Sequence, residues 1–377
     1  MSSAQAGSPP DVGNAHGIRK PLPSWLFIEH GTNAEMRWES AAEQRFATSN
    51  DRFFVRNHTR TPAIDVATYQ LRLHGDGLDG APSRHDAVTF TLSELEALPS
   101  HSITAFLECT GNGRALFGTQ QSMDVPGTPW LLGGIGMATW RGVRLSELLR
   151  LAGLSPEAAS VMAVGLDDPY VIDGVDHGPV RRPVPIVKAL DDCLLVTHMN
   201  GQPLPPDHGY PVRLFVPGWV GVASIKWLGE LEVSTTRLDS PWTTTWYRMS
   251  GGDYPPDSPP LAEVPVRSGF ELPWNATVAV GQPVALSGRS WSGAAPVEWV
   301  DVSFDGGETW QSPPLIRLGG KHGWVRWEVS WIPSERGSHE LLARATDKLG
   351  RTQPDQVPYN DEGYLFWAVV RHPVSVV

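Results

Sequence analysis

The chain has 377 residues, 41% of them apolar, which is enough to bury sizeable cores in two or three domains and excludes a disordered polypeptide. A formal net charge of −11 excludes the basic footprint that binding to nucleic acid or an anionic membrane requires, while leaving room for a local cationic pocket. With 38 Gly, 34 Pro and 16 Trp against 19% charged residues, short strands, many turns and aromatic anchors are expected rather than a helical bundle.

Residues 1–17 are small and polar, with neither the apolar core of a secretory signal nor a paired arginine, and no later run reaches the ~18 apolar residues of a membrane span. The expectation is a flexible arm over residues 1–23 and a cytoplasmic protein, or a periplasmic one if a signal peptide has been removed. A first domain then runs over residues 24–250. Within it, Thr91-Leu92-Ser93-Glu94 is a capping box opening a short helix that Pro99 ends. Ile103, Ala105 and Leu107 alternate with Thr104, Phe106 and Glu108, so Cys109 stands at the end of a strand and a loop follows. Leu145, Leu148, Leu149 and Ala152 fall at helical spacing, with Gly153 at the C-terminal cap position.

Residues 251–260, rich in Pro, Gly and Asp, cannot continue a helix or a central strand and mark a linker. Beyond it, in residues 261–377, Val300, Val302 and Phe304 alternate with Asp301 and Ser303, Asp305-Gly306-Gly307 makes a turn and Trp310 opens the return. Val325, Trp327, Val329 and Trp331 alternate in the same way with Arg326, Glu328 and Ser330. Strands of this kind predict an immunoglobulin-like β-sandwich without its cysteines. Two cysteines, Cys109 and Cys193, cannot form a disulfide framework for a chain of this size.

Taken alone, a cysteine at a strand end is more often packed than reactive. Around Cys109 the sequence is Phe106-Leu107-Glu108-Cys109-Thr110-Gly111-Asn112-Gly113-Arg114: the glycines permit close backbone approach, and Arg114 suits a thiolate or an anionic ligand. Four further segments occur in order with it. They are Phe53-Phe54-Val55-Arg56-Asn57-His58, residues 130–142, residues 200–213 with Pro205-Pro206-Asp207-His208-Gly209-Tyr210-Pro211, and residues 221–229 with Lys226-Trp227-Leu228-Gly229. Together they resemble the sulfite oxidase family of molybdopterin enzymes, and residues 287–293 and 302–310 resemble that family's C-terminal dimerisation domain.

The resemblance implies an α+β protein: a mixed α/β molybdopterin domain followed by the all-β sandwich, which would make a homodimer. It implies one molybdenum bound by the pterin dithiolene and the Cys109 thiolate. The pterin would be held by Phe54, Val55, Arg56, Asn57, His58, Asp167, His208, Arg213, Ser224, Ile225 and Lys226. Sulfite, a small anion that needs fixed positive charge when desolvated, would meet Arg56, Arg114, Trp130 and Tyr247, with His58 in the pocket and Tyr247 assisting proton and electron transfer. The activity implied is oxidation of sulfite to sulfate. The alternatives are another sulfur substrate, sulfane or protein-bound, as in the related sulfane dehydrogenase subunits; a nitrate or sulfoxide reductase; or a non-enzymatic binding protein. No haem-attachment sequence or haem domain is recognised, so electrons would pass to an external acceptor such as a cytochrome, with no nucleic-acid or membrane partner. Cys193 matches no ligand position and is expected in the core. Two departures from the vertebrate enzymes stand out: Gly113 replaces the first of two loop arginines, and the stretch Tyr359-Asn360-Asp361-Glu362-Gly363-Tyr364 lacks a pocket arginine.

Overall fold

The computed structural model describes residues 16–317 and 319–377. Residues 1–15 of the expected arm lie outside the described residues. Residues 16–23 do not behave as a free arm: Ile18 is fully buried with Leu26, Phe27, Ala34 and Val55, and the backbone N–H groups of Arg19 and Lys20 donate to the Asp207 carboxylate at 2.9 and 2.8 Å. The apolar Ile18 and the paired donors outweigh the arm's polar composition. Among the described residues no helix is long and apolar enough to cross a membrane.

Two five-stranded sheets carry the first half. One runs Arg181–Pro185, Ser160–Gly165, Leu228–Ser234, Gln70–His74, Val88–Thr91; the other runs Gln202–Pro203, Leu194–Met199, Ile135–Arg144, His101–Glu108, with Arg213–Phe215 also paired to Leu194–Met199. Leu228–Ser234 and Gln70–His74 are parallel while their neighbours are antiparallel, so the first sheet is mixed. The helix Leu145–Leu151 buries Leu145, Leu148 and Leu149 in a core shared with both sheets, and Gly153 takes φ +82° just past its end. Leu92–Ala97 opens on the expected capping box, Thr91 accepting from the Glu94 N–H while Glu94 accepts from that of Thr91. A small three-stranded sheet, Phe27–His30, Asn33–Met36 and Val55–Arg56, closes one side.

Two four-stranded sheets form the second half: Arg267–Phe270, Val284–Trp291, Val325–Trp331, Leu315–Ile316 facing Ala276–Val278, Arg371–Val376, Gly337–Asp347, Val297–Ser303. Their inward alternating residues, Val300, Val302, Val325 and Trp327 among them, make one core, as a sandwich requires. Trp310 does not open a return strand. Only Gln311 bridges back to Val302, and the Trp310 indole instead donates to the Gly307 carbonyl at 3.0 Å, closing the turn on itself.

The halves are not independent packing units. Trp38, Phe106, Phe117, Trp291, Trp324 and Phe366 share one core. A helix over Ala115–Gln121, where a loop was expected, is capped by that seam: Gln120 and Gln121 exchange hydrogen bonds with the backbone of Val369, Arg371 and Val357. Seven residues show too little periodicity for sequence reading, and contacts with the C-terminal segment stabilise the helix instead.

Candidate active site

The strand His101–Glu108 pairs along its whole length with Ile135–Arg144, which holds its last residue rigidly. Cys109 follows, its N–H donating to the Gly134 carbonyl at 2.8 Å and its carbonyl accepting from the Asn112 N–H at 2.9 Å. Asn112 is wholly buried and ties the turn together, its amide donating to Glu108 Oε1 at 2.8 Å and its oxygen accepting from the Gly134 N–H at 2.9 Å. A Cβ on Gly111 would lie 2.8 Å from the Arg114 guanidinium carbon, so glycine lets Arg114 fold over the turn.

Two clefts meet at Cys109. Arg56, Asn57, His58, Cys109 and Tyr247 line both. On one side, a cleft is bounded by Phe53, Phe54, Asp167, Asp207, His208, Arg213, Ser224, Ile225, Lys226 and Trp227. These come from five separated stretches, each held by the backbone. The short helix Pro206–His208 presents His208, whose carbonyl accepts from Arg213 Nη1 at 3.0 Å. Arg213 Nη2 reaches the Ser224 carbonyl at 2.9 Å, and Lys226 Nζ donates to Asn57 Oδ1 and, at 2.9 Å, to the Asp207 carbonyl.

Burial, reinforced by Arg213, pushes Lys226 well below the usual lysine range, and burial together with Lys20, Lys226 and Arg213 does the same to His208. His208 Nε2, Arg213 Nε and Thr110 Oγ1 are buried without a hydrogen-bond partner among the described residues. Basic groups held off their charged forms and orphaned polar atoms cost stability by themselves and fit an anionic, hydrogen-bonding ligand such as a phosphorylated pterin. Burial raises Asp167 from 3.8 to about 6, so it carries its proton only below about pH 6, and its Oδ2 accepts from the Val180 N–H at 3.3 Å.

On the other side, a cleft of about 410 Å³ is lined by Arg114, Trp130, Tyr170, Trp246, Glu362 and Tyr364 besides the shared residues. Arg56 Nη2 donates to the Tyr247 hydroxyl at 3.3 Å, and the Trp242 indole donates to His58 Nε2 at 3.1 Å, which sets that nitrogen as an acceptor. Burial, with Arg56 and Lys226 nearby, holds His58 well below its usual range, so it is neutral. Burial raises the Tyr247 phenol despite Arg56, so it keeps its proton. Burial likewise raises the Cys109 thiol against the pull of Arg56 and Arg114; coordination to a metal is what would take that proton away. Tyr247 holds φ +58°, a costly conformation for a bulky residue, at the position where its hydroxyl meets Arg56 and His58.

Of the residues expected here from sequence, Val55 is the exception. Its side chain is fully buried in the core with Ile18 and Leu26, because it alternates with Phe54 and Arg56 along the chain and faces away from both clefts. Cys193 lies in the core as expected, its thiol pushed up to about 12 by burial. Sequence reasoning missed Asp207 as a structural hub, which accepts from the Arg19 and Lys20 backbone and from Thr61 Oγ1 at 2.6 Å. It also missed Glu362 and Tyr364. Arg114 Nε donates to the Glu362 carbonyl at 2.9 Å, and the Tyr364 ring stacks on Tyr247 at 5.2 Å, so the stretch without its arginine still enters the site.

Gly113 also has a tertiary explanation. Arg267, from the sandwich, pairs with Glu108 and donates to the Asn112 carbonyl at 2.9 Å, while the Trp291 indole donates to Glu108 Oε2 at 2.7 Å. At φ +84°, a Cβ on Gly113 would fall 2.6 Å from Arg267 Nη2. The sandwich arginine takes the space a loop side chain would need.

Residues 58–242 match the model of the oxidoreductase molybdopterin-binding domain, and residues 260–374 that of the Mo-co oxidoreductase dimerisation domain. The chain is 35% identical to the mitochondrial sulfite oxidase of Rattus norvegicus over 368 residues, covering 92% of this chain and 64% of that one, so it spans less than two thirds of that relative's length. It is 34% identical to the sulfite oxidase of Gallus gallus, covering 95% of this chain and 79% of that one. Its fold matches the crystal structure of the sulfane dehydrogenase SoxCD from Paracoccus pantotrophus with a TM-score of 0.76 at 25% identity, covering 97% of this chain and 92% of that one.

Proposed function

The chain belongs to the sulfite oxidase family of molybdopterin enzymes, and from that premise we propose that it oxidises sulfite to sulfate and passes the electrons to an acceptor outside the chain, such as a cytochrome. One observation carries this reading: Cys109 stands where a cradle of Lys226, Arg213 and His208 meets a second cleft furnished with Arg56 and Arg114. The first fits the anionic end of a pterin and the second a small oxyanion. Residues 24–250 would form the cofactor domain, residues 251–260 a linker and residues 261–377 the surface through which two copies pair.

His208, Arg213 and Lys226 would hold the pterin phosphate, with Phe54, Asn57, Asp167, Ser224 and Ile225 around the ring system and Cys109 as the protein's ligand to molybdenum. When bound, the cofactor supplies a two-electron centre for oxygen-atom transfer. Arg56 and Arg114 replace the hydration of sulfite, which would otherwise make its entry into a desolvated site costly. Tyr247, kept protonated by burial, donates a hydrogen bond at the reacting end, and neutral His58, its Nε2 accepting from the Trp242 indole, lines the pocket beside it. Trp130, its ring edge-on to Phe54 at 6.2 Å, excludes water from the junction of the clefts.

Two measurements test this. Purified protein should contain stoichiometric molybdenum that Cys109→Ser abolishes; an unchanged metal content sinks the ligand assignment. Sulfite-dependent reduction of ferricyanide should collapse in Arg56→Ala and fall in Tyr247→Phe, and intact turnover in both removes their roles.

A further inference from the structure

The cleft on the substrate side of Cys109 extends well beyond the volume that sulfite fills. At about 410 Å³ it lies in the range of pockets that hold organic ligands rather than four-atom oxyanions, even with the end at Cys109 given to the metal. Two guanidinium groups line it, but so does the Glu362 carboxyl beside Arg114. Arg114 also commits Nε to the Glu362 carbonyl and Nη1 to that of Thr128 at 3.0 Å. Because His58 is neutral, the formal balance of the lining is a single positive charge. That balance suits a monoanion.

The walls away from Cys109 are aromatic. Tyr170 meets Trp246 edge-on at 5.6 Å and His58 at 5.2 Å, and Tyr364 lies flat on Tyr247. At the mouth, Ile172 is 37% exposed on the hairpin Val171–Ile172 and Val175–Asp176. Sulfite offers these surfaces nothing to cover. An acid with one negative charge, an apolar substituent on sulfur and a sulfur lone pair like that of sulfite would use all of them.

We propose that this cleft also oxidises organosulfinates, R–SO₂⁻, to sulfonates. The inference rests on the oxygen-transfer reading above and extends its substrate class. The balance is R–SO₂⁻ + H₂O → R–SO₃⁻ + 2 H⁺ + 2 e⁻. One S–O bond forms at the sulfur lone pair with oxygen from water, the C–S bond stays intact, and sulfur gives two electrons to two equivalents of a one-electron acceptor. Arg56 and Arg114 hold the sulfinate oxygens, and the substituent R lies against Trp246 and Tyr170.

The test uses the holoenzyme with ferricyanide and three substrates: sulfite, methanesulfinate and benzenesulfinate. Products are identified by mass spectrometry in ¹⁸O-labelled water. Benzenesulfinate should give a labelled sulfonate with kcat/KM at least about tenfold above methanesulfinate, the advantage an apolar wall confers. Trp246→Ala and Tyr170→Leu should each erase most of that advantage, lowering kcat/KM for benzenesulfinate by several-fold more than for methanesulfinate. Calorimetry should show benzenesulfonate binding more tightly than sulfate, a readout independent of turnover. Turnover of sulfite with neither sulfinate oxidised, or with no preference for the aromatic one, overturns the proposal and leaves sulfite oxidation standing. Failure of all three substrates sinks the oxygen-transfer reading itself, and the proposal with it.

Discussion

Replacing Arg267 by Met tests whether the sandwich holds the cysteine turn in place. The guanidinium lies in a fully packed seam, its side chain 4% exposed and that of Glu108 3% exposed, and it bonds both Glu108 and the Asn112 carbonyl. Met fills similar volume but leaves the Glu108 carboxyl with only the Trp291 indole and the Asn112 amide as donors. Burial already pushes the Glu108 pKa up, with Arg267 opposing it, so removal of the cation drives that carboxyl further toward its neutral form. Breaking one side of a buried pair costs about 3–5 kcal/mol. For a chain of 377 residues that corresponds to a fall in Tm of roughly 4–6 °C. Glu108→Gln alone should also destabilise, whereas the double variant Glu108→Gln/Arg267→Met should recover at least about 2 kcal/mol relative to the sum of the singles, because neither buried charge is then left unpaired. Thermal unfolding followed by fluorescence and circular dichroism measures the cycle, and molybdenum content reports whether Cys109 keeps its place. Additive effects, or an Arg267→Met variant melting within about 1 °C of the parent, would refute the clamp.

Restoring the vertebrate pattern with Gly113→Arg should destabilise rather than help: the φ of +84° costs about 1–2 kcal/mol for a non-glycine residue, and Arg267 occupies the space. An unchanged melting temperature would contradict that. His208→Phe keeps the edge-on packing against Phe53 at 5.4 Å and should cost the molybdenum-free protein only about 1 kcal/mol, yet lower cofactor content severalfold by removing the Nε2 group. Equal cofactor occupancy in parent and variant would show that Nε2 has no part in the cradle. Asp167 has its folded pKa raised from 3.8 to about 6, so the folded state binds the proton more tightly and its ionisation lowers stability as pH climbs through that window. The cost above pH 6 is roughly 3 kcal/mol. Asp167→Asn should therefore raise the melting temperature of the molybdenum-free protein at pH 8 more than at pH 4; an equal effect at both would show that Asp167 is not buried as described.

Local chemistry alone was enough to place several features. The capping box at Thr91, the helix ended by Gly153, the strand Val325–Trp331 and Cys109 at the end of His101–Glu108 all rest on periodicities and caps read over a few residues, and the same few residues enforce them in the fold. The five ordered segments likewise pointed to one site, and the structure brings the site residues read from them to the two clefts at Cys109, Val55 excepted. Tertiary structure decided what surrounds them. Arg267 meets Asn112 across 155 positions and Arg114 meets the Glu362 carbonyl across 248, separations at which no local pattern survives. The same holds for Ile18 anchoring what composition marked as an arm, and for the short helix Ala115–Gln121, stabilised by a segment more than two hundred residues away. A periodicity reports only which face of an element is buried. Which distant side chain lies against that face, and so why Gly113 must lack a side chain or Glu362 enters the cleft, follows from the packing of the two halves together.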